Sequence, residues 1–189
     1  MKPRAYLCFA AMADPRILTT DRLVMTPHQR SDFADLVALW ADPQVVRFIG
    51  GQPNSEEESW GRLLRYAGCW AVMGFGFWAV RDRASGAYLG DVGFLEGRRA
   101  GLDGFGGDPE IGWCLAPAAQ GKGFASEAVR AALGWGAGQL APNHRRVAAM
   151  IHPDNAASVT VAARCQFRHY AVARYKDEPT GLWEYRWPL

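Results

Sequence analysis

The residues from Pro109 to Glu127 carry the most specific chemistry in the chain. Ile111 to Leu115 is a short apolar run of strand type, Pro117 ends ladder pairing, and Gly121-Lys122-Gly123 opens a helix-forming run from Phe124 to Leu133. A strand, a glycine loop and a helix start in that order make an anion site. The glycines let backbone N–H groups converge on a ligand, and the first helical turn adds unpaired donors at a partially positive end. A phosphate or pyrophosphate is the matching ligand. Two nucleotide patterns fail here. For the ATP loop G-x-x-x-x-G-K-[ST], no glycine lies five residues before Gly121, and Gly123 stands where the hydroxyl should be. For the dinucleotide pattern G-x-G-x-x-G, the last position is Ser126, and the loop lies far from the N-terminal strand that usually carries it.

The pattern that fits is Q-x-x-G-x-A, read as Gln120, Gly123 and Ala125. In these residues the chain resembles the acetyl-CoA pyrophosphate loop of the Gcn5-related N-acetyltransferases, the GNAT superfamily. Asn155-Ala156-Ala157-Ser158, followed by an apolar helix and Phe167, is similar to that superfamily's second signature, N-x-x-S/A leading to G-F. Gln166 stands where the family has glycine, so the turn after that helix lacks a residue free to be left-handed. The resemblance runs from Thr19 onward. "TTDRLVMTP" and "EIGWCLAP" are most similar to the branch that includes ribosomal-protein N-terminal acetyltransferases, which also holds enzymes for other amines.

The resemblance implies an α/β GNAT fold, a mixed central sheet with splayed parallel strands flanked by helices. It implies acetyl-CoA as cosubstrate and no metal. The pantetheine arm would pair with the backbone of Trp113, Cys114 and Leu115. The pyrophosphate would sit on the N–H groups of Gly121, Lys122, Gly123, Phe124 and Ala125, with the Ser126 hydroxyl and the Lys122 charge as further partners. Asn155 would hold the pantetheine arm, N-cap its helix, or do both. Acetyl transfer needs a neutral amine, and Glu110 is the base that the family pattern suggests; burial would have to raise it above an ordinary carboxylate value of about 4.3. The bland alternative for Glu110 is an ion pair at a strand end. Asp91, Asp108, Glu127 and His152 rank below it. Ala162 takes the place of the tyrosine that many family members use to protonate the leaving thiolate, which leaves Ser158 as the substitute, unless its hydroxyl bonds its own first turn. The implied reaction is direct attack by a primary amine, on a protein N-terminus or a small molecule. The alternative is a non-catalytic acyl-CoA sensor. A homodimer follows from family habit and the aromatic C-terminal hairpin. Phe48, Gly50 and Trp60 or Trp70 would lie near the acceptor entrance.

The elements that must position these residues read as follows. A strand from Ile17 to Thr26 is interrupted at Thr20-Asp21. Ser31 caps a helix from Asp32 to Trp40, a turn runs from Val45 to Ile49, and Ser55 with Glu58 opens a capping-box helix reaching Cys69 or Met73. Phe75 to Arg81 and Tyr88 to Leu95 form a hairpin, and residues 97–107 form a flexible glycine-rich surface loop. After the loop helix, weakened by Gly134, Gly136 and Gly138, come a buried strand from Arg146 to Ile151 and a helix from Ala156 to Arg164. A hairpin of 167–175 and 182–187 closes the chain around residues 177–181.

Length and composition bound the rest. A chain of 189 residues with 49% hydrophobic content and eight tryptophans suits one domain, 17–189, and excludes disorder as its description. A net charge of +2 with only paired arginines speaks against a nucleic-acid arm. Cysteines 8, 69, 114 and 165 lack metal spacing and read as reduced thiols, consistent with a cytoplasmic protein, and no run is long enough for a membrane span. Residues 1–16 resemble a short signal peptide but read as a flexible extension, with Met12 an alternative start.

Overall fold

The computed structural model describes residues 14–99, 101, 102, 105 and 107–188. Eight strands form one sheet in the order β1-β2-β3-β4-β5-β6-β8-β7. The strands are β1 Leu18–Thr19, β2 Leu23–Pro27, β3 Phe77–Asp82, β4 Tyr88–Leu95, β5 Glu110–Leu115, β6 Arg146–Ile151, β7 Arg168–Tyr175 and β8 Glu178–Arg186. Helices α1 Phe33–Trp40, α2 Pro43–Val46 and α3 Glu56–Met73 cover one face; α4 Phe124–Gln139 and α5 Ala156–Arg164 cover the other. Every neighbouring pair is antiparallel except β5 with β6. That parallel pair meets at a single register point, Glu110 opposite Ala148, and the two strands part beyond it. This is the mixed, splayed sheet that the resemblance implied.

Alternation along the strands explains the two cores. Ile111 and Leu115 face α4 with Val92, Phe94 and Val129, while Cys114 faces α1 and α3 with Phe77, Tyr66 and Trp40. Trp70, Trp78, Phe94 and Trp135 form an aromatic cluster with centroid distances of 4.9–6.2 Å. Trp70 therefore belongs to the core and not to an acceptor entrance, and its indole donates to the Phe77 carbonyl at 3.0 Å. The helix with the weakening glycines continues to Gln139, because Gly136 lies where an added Cβ would be 2.9 Å from Trp187 Cζ2 and 3.3 Å from Phe94 Cζ. Close packing, available only to glycine there, offsets its poor helix propensity.

Several local expectations change. The α3 capping box forms as expected, with Ser55 Oγ accepting from Glu58 N and Glu58 accepting from Ser55 N. At α1 the N-cap position is Asp32 instead of Ser31, and no side chain caps it: a 3-10 turn over Arg30–Asp32 precedes the helix, and the Asp32 carboxylate closes that turn by accepting from Gln29 N at 2.8 Å. Asp42 accepts from Gln44 N and starts the one-turn α2, where only a turn was expected. The closing hairpin turns on Lys176-Asp177 alone, with φ of 52° and 66°, so residues 178–181 join β8. The glycine-rich segment is anchored: Leu102 and Phe105 are buried against Ala148 and Leu182. Of the residues read as an extension, 14–16 are described and tied down, Trp78 Nε1 donating to Arg16 O at 2.6 Å and Trp135 Nε1 to Pro15 O at 3.1 Å. Residues 1–13, with Cys8 and Met12, lie outside the described residues. Among the described residues no helix is long and apolar enough to cross a membrane.

Candidate functional site

The loop between β5 and α4 is built to expose backbone donors. A 3-10 turn over Pro117–Ala119 leads into it, and the Gln120 side chain reaches back to donate to the Leu115 carbonyl at 2.9 Å. Gln120 thus sets the loop's shape. Gly121 and Gly123 take φ of 73° and 83°, which side-chain-bearing residues rarely adopt. Gly123 occupies the N-cap of α4, and no side chain caps it. In α3 and α5 the corresponding donors are met by Ser55 and by Asn155. The first-turn N–H groups of α4 therefore face outward at its positive end, beside exposed Lys122.

Arg22, which is not among the residues expected at the site, holds this loop from the side. Its guanidinium donates to Glu127 Oε2 at 2.7 Å and to the Lys122 carbonyl at 3.0 Å, and it lies 4.5 Å over the Phe124 ring. Thr20 Oγ1 also donates to Glu127. Burial pushes the Glu127 carboxyl up, but the bonds from Thr20 and Arg22 outweigh it and hold the group below its ordinary value. A cavity of about 630 Å³ opens there, lined by Arg22, Gly123, Ser126, Arg130 and Arg164 among others. Ser126 itself is buried, 4% exposed. Arg22 is answered by Glu127, whereas Arg130 and Arg164 add two more positive charges. Helical spacing from Ser126 to Arg130 was a usable signal for this face.

At the parting of β5 and β6, three expected residues come together. Asn155 Oδ1 accepts from Ser158 N at 3.0 Å, the cap of α5. The indole N–H of Trp113 crosses the gap and donates to Ser158 Oγ at 3.2 Å. Cys114 points to the opposite core, where burial pushes its thiol well up, so its side chain is turned away from the gap between β5 and β6. After α5, Gln166 adopts φ 65°, and the bonds from Gln166 N to Ala163 O and Phe167 N to Ala162 O complete a Schellman closure. The left-handed turn survives the missing glycine.

Glu110, at the start of β5, is engaged in an ion pair, the alternative open to it from its place at a strand end. Both its oxygens bond Arg99, at 2.8 and 2.7 Å, and Arg99 Nη1 donates on to Tyr175. Burial works against the Arg99 charge, but Glu110 and Tyr175 raise the guanidinium above its ordinary value. Each Glu110 oxygen thus accepts one N–H from the same guanidinium, a two-point ion pair. Asp91 is fully buried, accepting from Trp40 Nε1 at 2.9 Å and from the Tyr88 hydroxyl, with His28 Nε2 at 3.2 Å. His152 Nδ1 accepts from Asp154 N at 3.1 Å, and its ring lies 5.2 Å from Phe48, which brings Phe48 to the mouth of β6. Trp60 instead packs edge-on against Phe33, with centroids 5.1 Å apart. Among the described residues no group of His, Cys, Asp and Glu could hold a metal ion.

The model of the acetyltransferase (GNAT) domain family matches residues 22–168. A solved structure from Bordetella pertussis, described as a GnaT-family acetyltransferase, is 32% identical with a TM-score of 0.76, covering 89% of this chain and 98% of that one. The uncharacterized N-acetyltransferase p20 of Bacillus licheniformis is 25% identical over 165 residues, 87% of this chain and 89% of its own length. Spermidine N-acetyltransferase of Vibrio cholerae, solved in complex with CoA and spermine, shares the fold with a TM-score of 0.68 at 17% identity, over 88% of this chain and 96% of its own.

Proposed function

This chain belongs to the GNAT acetyltransferase family, and from that premise we propose that it moves acetyl from acetyl-CoA to a primary amine, on a protein N-terminus or a small molecule, by direct attack in a ternary complex. The observation that carries the reading is the uncapped start of α4 beside the parted strands. Its backbone donors suit a pyrophosphate, with Lys122 alongside and the three arginines of the adjoining cavity suiting further negative charge. The free backbone where β5 leaves β6 suits the pantetheine amides, with Asn155 and Ser158 on the far side. Acetyl-CoA supplies the thioester; the chain's residues orient it and stabilise the departing sulfur.

The amine must arrive neutral or be made so. With Glu110 engaged by Arg99, the arrangement favours acceptors that lose their proton readily. An α-amine, of ordinary pKa about 7.7–8.0, is partly neutral near pH 7, whereas an alkyl ammonium of about 10.4 is not. This supports a peptide N-terminus over a polyamine.

The test is release of free thiol from acetyl-CoA against amino acids, N-terminal peptides, aminoglycosides and polyamines, the last prompted by the Vibrio cholerae relative. Release stimulated by one amine class carries the proposal. Tight acetyl-CoA binding with no stimulation by any amine would instead favour an acyl-CoA sensor.

A further inference from the structure

We propose that Trp113 is a positioning residue for the Ser158 hydroxyl and, through it, for the departing thiolate. This rests on the transfer reading above. The indole N–H of Trp113, on β5, donates to Ser158 Oγ, on α5, across the gap where β5 has left β6. The contact is held from both sides. Asn155 Oδ1 takes the backbone N–H of Ser158, so the serine hydroxyl is not needed at the helix start. The Trp113 ring packs against Phe167 with centroids 6.0 Å apart, which fixes the direction of its N–H. Two residues further along α5, Thr160 sends its hydroxyl back to the Ala156 carbonyl at 2.8 Å, the ordinary behaviour of a helical hydroxyl. Ser158 instead accepts from the indole. A hydroxyl that accepts an N–H keeps its own O–H to give, and the accepted bond polarises it into a better donor.

In the transfer, the amine lone pair forms the C–N bond, the oxyanion reforms its carbonyl, and the C–S bond breaks with its electron pair going to sulfur. The Ser158 O–H bonds the sulfur while that charge develops. The proton that ends on the thiol is the one given up by the amine nitrogen, carried by solvent. Trp113 touches neither reacting centre; it aims the group that does.

The experiment is a double-mutant cycle with Trp113→Phe, which keeps the aromatic packing and deletes the N–H, and Ser158→Ala, read as kcat and KM for acetyl-CoA with the best acceptor amine. Trp113→Phe should lower kcat about three- to tenfold, the worth of one hydrogen bond, with KM within about twofold and the melting temperature nearly unchanged. In the Ser158→Ala background the same substitution should change kcat by less than about 1.5-fold, because its target is gone. Multiplicative effects would show that Trp113 acts independently of Ser158 and overturn the proposal, as would an unchanged kcat in Trp113→Phe alone. Failure of the transfer reading is separately visible: the unmodified protein would then show no amine-stimulated thiol release. In that case the positioning role falls with it.

Discussion

Glu110→Gln separates a structural task from a chemical one. Glu110 is 7% exposed, and the side chain of its partner Arg99 is 23% exposed. Removing one member of a buried ion pair typically costs about 3–5 kcal/mol. Here Arg99 keeps its bond to Tyr175 and some water, and the amide still offers one acceptor oxygen, so about 2 kcal/mol is the expected loss. In a chain of this size each kcal/mol moves the melting midpoint by about 2–4 °C, which gives a fall of about 4–8 °C. Arg99→Met should destabilise at least as much, since it strands a buried carboxylate. Combining the two should recover part of the loss, because neither charge is then left alone. Thermal denaturation of the four proteins reads this cycle. Turnover measured well below the midpoint with a peptide α-amine should fall by less than about threefold in Glu110→Gln. An unchanged melting temperature with a loss of about 100-fold or more, the range of general-base assistance, would refute the structural assignment and make Glu110 the base.

Three further outcomes are expected. Gln166→Gly should stabilise by about 0.5–1 kcal/mol, read as a higher urea midpoint at constant slope, because Gln166 holds φ 65° within a completed Schellman closure that glycine adopts without strain; a lower midpoint would mean that the side chain does more there than its geometry suggests. Glu184 is held below its ordinary carboxyl value, first by its bond from Arg186, against the push of burial, and then by Arg146. A depressed folded value means that its contribution is complete above the unfolded value of about 4.3 and is lost as pH falls through the lower folded one, so urea midpoints of Glu184→Gln should fall less steeply on acidification than those of the unmodified chain; parallel acid limbs would count against this. Replacing Arg130 and Arg164 together by alanine should raise KM for acetyl-CoA several-fold with kcat little changed, and the difference should shrink at high salt. An unchanged KM would take the cavity out of the cosubstrate's path.

What could be read from the residues alone divides along a physical line. Caps, periodicities and glycine turns are local: Ser55 and Glu58 are three residues apart, and their reciprocal bonds form as the pattern requires. The cradle at Gly121–Ala125 is local in the same way, a backbone property announced by its glycines. The side chains that give the site its polarity are not. Arg22 meets Glu127 across 105 residues, Trp113 meets Ser158 across 45, and both contacts depend on sheet order and on where two strands part. Glu110 shows the consequence most sharply. Its place at the start of a strand was legible, but its partner sits in a glycine-rich segment with no periodicity, where buried Leu102 and Phe105 anchor the chain against the sheet. A base and an ion-pair anchor are the same residue type at the same register position, and the guanidinium eleven residues earlier is brought to Glu110 by tertiary packing that no local pattern announces.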